Sequence, residues 1–443
     1  MRNRLNRGIA AFGATALALG LTTVGSGLAS AADNTGVNSS TKVITIGATV
    51  PLSGIASLGY SDVAKAANAV FKYVNAKGGV NGWKVNFIIK DDCYNISGLG
   101  CTSNKLTVDQ TDDLVTNQNV FATVGSLGTA TQEAVKNTLR TAGVPQLFVN
   151  SGAKAWNNPD NYPTLFGFQP SYLVEGKILA NYIKTKFAGK SVGVIGQNDD
   201  FGDDGLQGLL DGGLTIPSAN RLTYASTDII FARSNFKTQL AKLQAAKVQV
   251  VVLDTVPQAT QLILDAATQL KYKPQFVISG VGADPITVNR ANEKGAISFS
   301  FLPASTDTKN PWNAWITKVL KADKTGFPSF KGKLTGNMQY GAAWGVAFLQ
   351  VLKKTTDGGV TPTRTNFVAK MTQTTFNTPA LVQLAYSNSN HQGLNGGYIV
   401  SVKSTTETSV ADKQIYTTGT GPISGSPLVK ASTKIAPIDT WLK

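Results

Sequence analysis

The chain has 443 residues, of which 42% are hydrophobic and 15% charged, and a formal net charge of +15. So large an apolar share with so few charges excludes a disordered chain, and the length exceeds one ordinary core and suffices for two domains. The positive charge sits on single lysines spread along the sequence rather than in a Lys/Arg block, which argues for solubility and loose attraction to anionic envelope polymers, and against nucleic-acid binding.

Residues 1–31 place Arg2, Arg4 and Arg7 before an apolar run from Ile9 to Leu28 and close on Ala29-Ser30-Ala31, a small-x-small cleavage site. Gly8, Gly13, Gly20, Gly25 and Gly27 interrupt the run, so the segment reads as a signal peptide rather than a membrane span. Its removal leaves 443 − 31 = 412 residues and lowers the charge from +15 to +12. No cysteine stands near the site to accept a lipid, so the mature chain is expected to be secreted or held in a periplasm-like space of the envelope, without a direct membrane anchor. No later segment approaches the roughly 20 uninterrupted apolar residues that a span needs.

From Val43 to Asp92 the pattern is strand, loop, long amphipathic helix, turn and strand, with Gly78-Gly79 closing the helix and Asn81-Gly82 turning the chain into the next strand. The only cysteines, Cys93 and Cys101, follow in DDCYNISGLGC. In a secreted chain that pair favours a disulfide closing the local loop, worth roughly 2–3 kcal/mol, over two free thiols. Helices are predicted over 102–116 and 130–141, and strands over 120–125 and 145–150. The pattern resets around Gly167-Phe168-Gln169-Pro170, where a helix from Tyr172 to Phe187 leads into the buried strand of SVGVIGQND. Further units pair strand 221–226 with helix 234–246, strand 248–253 with helix 257–270, and strand 275–279 with a helix after Pro285. A crossing strand follows at 296–303, then helices near 312–322 and 338–353, and from Val402 edge strands and an extended tail. Strands alternating with helices define an α/β chain with parallel sheets wrapped on both faces.

Ligands in open α/β sheets lie outside the carboxyl ends of the strands, where helix N-termini point into the crevice. Gly125-Ser126-Leu127-Gly128-Thr129 has that position. Thr129 and Gln132 fit a capping box, and the Ser126 hydroxyl with unpaired N–H groups suits a ligand carboxylate without a basic side chain. An ordinary turn residue is the competing account of Ser126, and a helix cap is the favoured account of Thr129. With one histidine in the chain, His391, and no second cysteine pair, neither a metal site nor a cofactor is expected.

The combination ITIG…PLSG…YVNAKGGVNG…DD resembles the start of type I extracellular solute-binding proteins of ABC transporters, in particular the branched-chain amino acid and amide-binding, leucine-binding protein-like family. The resemblance implies two lobes joined by a three-segment hinge: 42–168 with 304–384, and 171–299 with 397–425, with crossings near 168–171, 299–305 and 384–397 and a tail at 426–443. It implies a monomer that captures a small molecule and hands it to a membrane permease. By similarity, Ser126 and Leu127 of the first loop and Ser151, Gly152 and Ala153 of the next hold a ligand's carboxylate and amine. Leu58 or Tyr60 falls where relatives carry an aromatic wall, and Phe201, in Asn198-Asp199-Asp200-Phe201-Gly202, lies over the ligand, with a core position under the loop as the competing account. Relatives that bind branched-chain amino acids carry a glutamate before Gly-Val-Gly, where this chain has Ser279. Asp254 or Asp284 could take over the ammonium, or each could be a turn or capping carboxylate, so amides, urea-like compounds and organic acids stay open beside amino acids. The short-range cysteine pair also departs from relatives that tie this loop to the Ser126 region.

The rivals are a secreted hydrolase and an envelope adhesin or structural protein without a transport role. A Ser–His–Asp hydrolase would have to use His391, a solvated or hinge histidine on the plainer account, and no Gly-x-Ser-x-Gly elbow is expected in the chain. Asp91-Asp92 and Asp199-Asp200 are adjacent pairs that point to opposite faces of an extended chain, and Gly280-Val281-Gly282 is too weak a nucleotide fingerprint. The reading is therefore a receptor and not an enzyme.

Overall fold

The structure, a computed structural model, describes residues 33–54, 56–95, 101–103, 105–225, 233–283, 294–404, 407–410, 414–419, 421 and 423–427. The signal segment, Asp284, the helix expected after Pro285 and the tail from 428 onward lie outside the described residues.

The first lobe begins with β1 (Val37–Asn38) and β2 (Val43–Val50), then α1 (Ser57–Ala76), β3 (Lys84–Asp91), α2 (Thr107–Thr116), β4 (Thr123–Val124), α3 (Thr129–Thr141), β5 (Gln146–Val149) and β6 (Leu165–Gly167). β3, β2, β4, β5 and β6 form a parallel run, and β1 adds an antiparallel pairing to the start of β2. The turn after α1 follows the sequence closely: Gly78 and Gly79 have φ of 102° and 81°, and Asn81 and Gly82 of 51° and 83°, left-handed values that Gly and Asn accept. α2 starts five residues later than expected, at Thr107 rather than 102. The missing turn serves the disulfide instead: Cys93 and Cys101 are bonded, and the Thr107 hydroxyl donates to the buried Asp92 carboxylate at 2.9 Å.

The second lobe runs α4 (Tyr172–Lys186), β7 (Val192–Gln197), α5 (Asp200–Asp211), β8 (Arg221–Tyr224), α6 (Arg233–Ala245), β9 (Val250–Asp254), α7 (Pro257–Gln269), β10 (Gln275–Ile278) and β11 (Ile297–Ser300). β8, β7, β9, β10 and β11 are parallel, and the fully buried β9 (VVVLD) is apolar on both faces, as a central parallel strand requires.

The chain then supplies α8 (Pro311–Ala322), α9 (Gly336–Thr356) and α10 (Arg364–Met371) before β12 (Gly396–Ser404), β13 (Glu407–Val410), β14 (Gln414–Thr417) and β15 (Ser424–Pro427) extend the second sheet antiparallel beyond β11. α8 and α9 lie against α1, so these helices complete the first lobe. α9 is buried nearly all round, through Ala342, Ala343, Trp344, Val346, Ala347 and Phe348, the pattern of a helix enclosed by its neighbours. The chain passes between the lobes three times: between Gly167 and Tyr172, between Ser300 and Pro311, and between Met371 and Gly396. α10 escapes the sequence reading although its start carries a capping box, Thr363 with Asn366, and its buried Phe367 and Met371 stand four residues apart. Its first residue, Arg364, donates to the carbonyls of Val120, Phe121 and Gly143, which lie outside the short β4 ladder.

Candidate functional site

A cavity of about 190 Å³ lies between the lobes. The loops after β4 and β5 bring Leu127, Gly128, Thr129 and Asn150 to it, α1 contributes Tyr60, and α9 contributes Tyr340. From the second lobe come Glu175 of α4, Phe201 of α5 and Gly280 after β10, while Phe301 and Pro303 line it from the second connection. The tips of both parallel sheets therefore meet around one space, because each contributing loop follows the carboxyl end of a strand.

The first-lobe wall depends on two glycines. At Gly125, φ is +69° and an added Cβ would stand 2.4 Å from the Trp344 ring; at Gly128, φ is +113° and the Tyr94 ring fills the space 2.6 Å from such a Cβ. The expected capping box does not form. Gly128 is the N-cap of α3 with no side-chain cap, Gln132 donates to the Thr49 hydroxyl at 3.1 Å, and the Thr129 hydroxyl lies 2.7 Å from that of Ser151. The side chains that resemble a box are drawn inward, to β2 and to the β5 loop.

Tyr172, the first residue of α4, fixes how the lobes meet. Its amide donates to the Gly152 carbonyl at 2.7 Å, and its ring lies 2.9 Å from where a Gly152 Cβ would be. Burial pushes the pKa of its hydroxyl up to about 12. Phe201 stacks at a tilt beside it, ring centroids 4.4 Å apart. One turn further along α4, Glu175 accepts a 2.7 Å hydrogen bond from the Gly280 amide. Burial raises the Glu175 carboxyl to about 8, with repulsion from Asp254 adding to it, and burial alone raises Asp254 to about 7. Sequence reasoning missed Glu175, whose signal was an acidic residue in an otherwise apolar first turn of α4.

Of the residues expected at the site, Tyr60, Leu127 and Phe201 line the cavity. Ser151, Gly152 and Ala153 stand behind the Tyr172 ring and hydroxyl, and the Ser126 hydroxyl accepts from the Thr49 amide at 3.1 Å. Asp254 is buried against the Gly205 backbone, Ser279 is 1% exposed with an unpaired hydroxyl, and Leu58 is 55% exposed on the surface. Thr129, read as a cap, is the first residue of α3 and lines the cavity, with its hydroxyl held by Ser151.

His391 is not solvated: it is 4% exposed, lies 2.8 Å from the Leu165 carbonyl and stacks on Phe166 at 3.9 Å, so burial lowers its pKa. One Gly-x-Ser-x-Gly string is present after all, Gly189-Lys190-Ser191-Val192-Gly193. It leads from helix into strand, the reverse of a nucleophile elbow, and the Ser191 hydroxyl donates to the Lys247 carbonyl at 2.7 Å. Among the described residues no group of His, Cys, Asp and Glu is placed to hold a metal ion, and no helix is long and apolar enough to cross a membrane.

Two wrapped parallel sheets facing each other across a lined cleft, joined by three connections, define a two-lobed solute-binding protein of the type I periplasmic class. The periplasmic binding protein family matches residues 43–407, and the chain belongs to that family. It is similar to Leu/Ile/Val-binding protein homolog 1 of Brucella suis biovar 1, at 25% identity over 287 residues, 63% of this chain and 71% of that protein. Its fold is similar to a branched chain amino acid ABC transporter structure from Thermus thermophilus with bound valine, with a TM-score of 0.71 and 18% identity over 84% of this chain and 96% of that one. A fatty acid ABC transporter substrate-binding protein from Thermomonospora curvata matches with a TM-score of 0.70 and 18% identity, covering 89% of this chain and 95% of that one.

Proposed function

We propose that the protein is a secreted receptor that closes its two lobes on a small organic molecule and delivers it to an ABC importer. The observation that carries this reading is the cavity between the strand tips, lined by both lobes at once, which only a closed form assembles. The lobes move as 42–168 with 304–384 against 171–299 with 397–425, and the mature monomer begins after the Ala29-Ser30-Ala31 site. Tyr60, Leu127 and Phe201 touch the ligand, while Ser126, Ser151, Gly152, Ala153, Asp254 and Ser279 shape the walls from behind. The ligands named for two similar structures, valine in one and a fatty acid in another, favour a solute with an apolar body. A thermal-shift screen over amino acids, amides, amines and small organic acids tests the reading. A ligand at a hundred times its dissociation constant adds about 2.7 kcal/mol of stability, and silence across the whole library contradicts a receptor role.

A further inference from the structure

The amino-acid mode of binding needs a carboxylate on the loops after β4 and β5, and that place is taken. The Thr129 and Ser151 hydroxyls lie 2.7 Å apart, the Ala153 amide donates to the Ser151 hydroxyl at 3.2 Å, and the Tyr172 ring packs against Gly152, so the groups a carboxylate would use are already engaged by the protein itself. Among the described residues no lysine or arginine lines the cavity, and the acidic side chain there is Glu175, 5% exposed. Three further polar groups of the lining are buried and unpaired: the Asn150 Oδ1 atom, an acceptor whose amide nitrogen already donates to the Gly125 carbonyl at 2.7 Å, and the hydroxyls of Ser298 and Tyr340. Each is at least nine-tenths buried, at 6%, 1% and 9% exposure. Buried polar groups without partners are rare, and several around one cavity mark where a guest's polar atoms belong.

We infer that the cleft takes an organic amine with an apolar or aromatic body and no free carboxylate, its ammonium group meeting Glu175. This rests on the receptor reading above and narrows it to a ligand class. Electrostatics supports the assignment. Glu175 and Asp254 are buried near one another, burial disfavours both charges, repulsion from Asp254 adds to this at Glu175, and no basic side chain contributes to either. An incoming ammonium is the counter-charge that this corner lacks, and it donates where a carboxylate would meet only repulsion. The aromatic lining, Tyr60, Phe201 and Phe301 among it, suits the body and offers ring faces to a cation.

The test uses the full mature chain and two matched sets of probes: 3-methylbutylamine, leucine and 4-methylpentanoate on one skeleton, and 2-phenylethylamine, phenylalanine and 3-phenylpropionate on another. Titration calorimetry is expected to show an amine binding at least about tenfold more tightly than the amino acid or acid of its set. Glu175→Gln, whose fold is checked by circular dichroism and melting temperature, is expected to lose at least about tenfold in amine affinity, because a buried charged acceptor has become a neutral amide. Leucine, phenylalanine or either acid binding as tightly as the matching amine overturns the inference, as does unchanged amine affinity in Glu175→Gln. Failure of both amines to bind also overturns it; a response to other compounds in the wider screen would then leave the receptor reading standing while this ligand class falls.

Discussion

At the residue scale the buried polar side chains divide into those that hold the wall and those that face the cleft. Ser126 belongs to the first group through its bond from the Thr49 amide. Ser126→Ala leaves that buried N–H unpaired and is expected to cost about 1–3 kcal/mol of stability, read as a lower urea midpoint of the ligand-free protein. A loss confined to ligand affinity, with unfolding unchanged, would instead make Ser126 a direct contact. The acids carry a pH signature. Burial holds Glu175 at about 8, Asp254 at about 7 and Asp92 at about 6, all above the usual carboxylate range. The folded state therefore keeps protons that the unfolded chain has released, and stability is lost as pH rises from the ordinary carboxylate range through each folded value. Calorimetric melting at pH 5, 6.5 and 8 is expected to show a falling melting temperature, and Glu175→Gln to remove the part of the fall that extends to pH 8.

At the element scale, close approaches between helices are set by glycines. Gly341 in α9 lies so near α1 that an added Cβ would stand 1.9 Å from the Val63 carbonyl oxygen, and backbone cannot yield as a flexible side chain does. Gly341→Ala forces the two helices apart across the core of the first lobe and is expected to destabilise by about 3 kcal/mol or more, visible as a lower chemical-denaturation midpoint or as insoluble protein. The alternation of strands and helices was legible in the sequence because each element carries its own period: the β9 run of Val250 to Leu253, the buried face of α1, the glycine turns around 78–82. What escaped depends on tertiary partners. The late start of α2 is set by the disulfide and by Asp92, and the short β4 by backbone leaving the ladder at Gly125. The site was legible as a place rather than as a set of contacts. Loop position after parallel strands pointed to Leu127 and Phe201, whereas the direction each hydroxyl takes is decided by neighbours remote in sequence, Thr49 for Ser126 and Thr129 for Ser151.

At the scale of the whole molecule, polar contacts cross the cleft between the lobes, and on the receptor reading proposed above these set the balance between open and closed forms. Asp204 of α5 accepts from the Lys154 amide at 2.7 Å, and the Lys154 ammonium lies 2.8 Å from its other oxygen. The two halves of the Lys154–Asp204 contact differ in weight. The ammonium is 62% exposed, so water and salt screen it, and Lys154→Ala keeps the amide bond and is expected to change the ligand-free molecule little. The Asp204 carboxylate is 1% exposed, and Asp204→Ala removes the acceptor from a main-chain N–H that then has to find water. That loss, about 1–3 kcal/mol, is carried only by the closed form and lowers the closed-to-open ratio by roughly 5–150-fold. Small-angle scattering of the ligand-free variants is expected to show a larger radius of gyration for Asp204→Ala than for the unmodified chain, with Lys154→Ala close to the latter. Equal radii for all three would place the restraint in the connecting segments rather than in this contact.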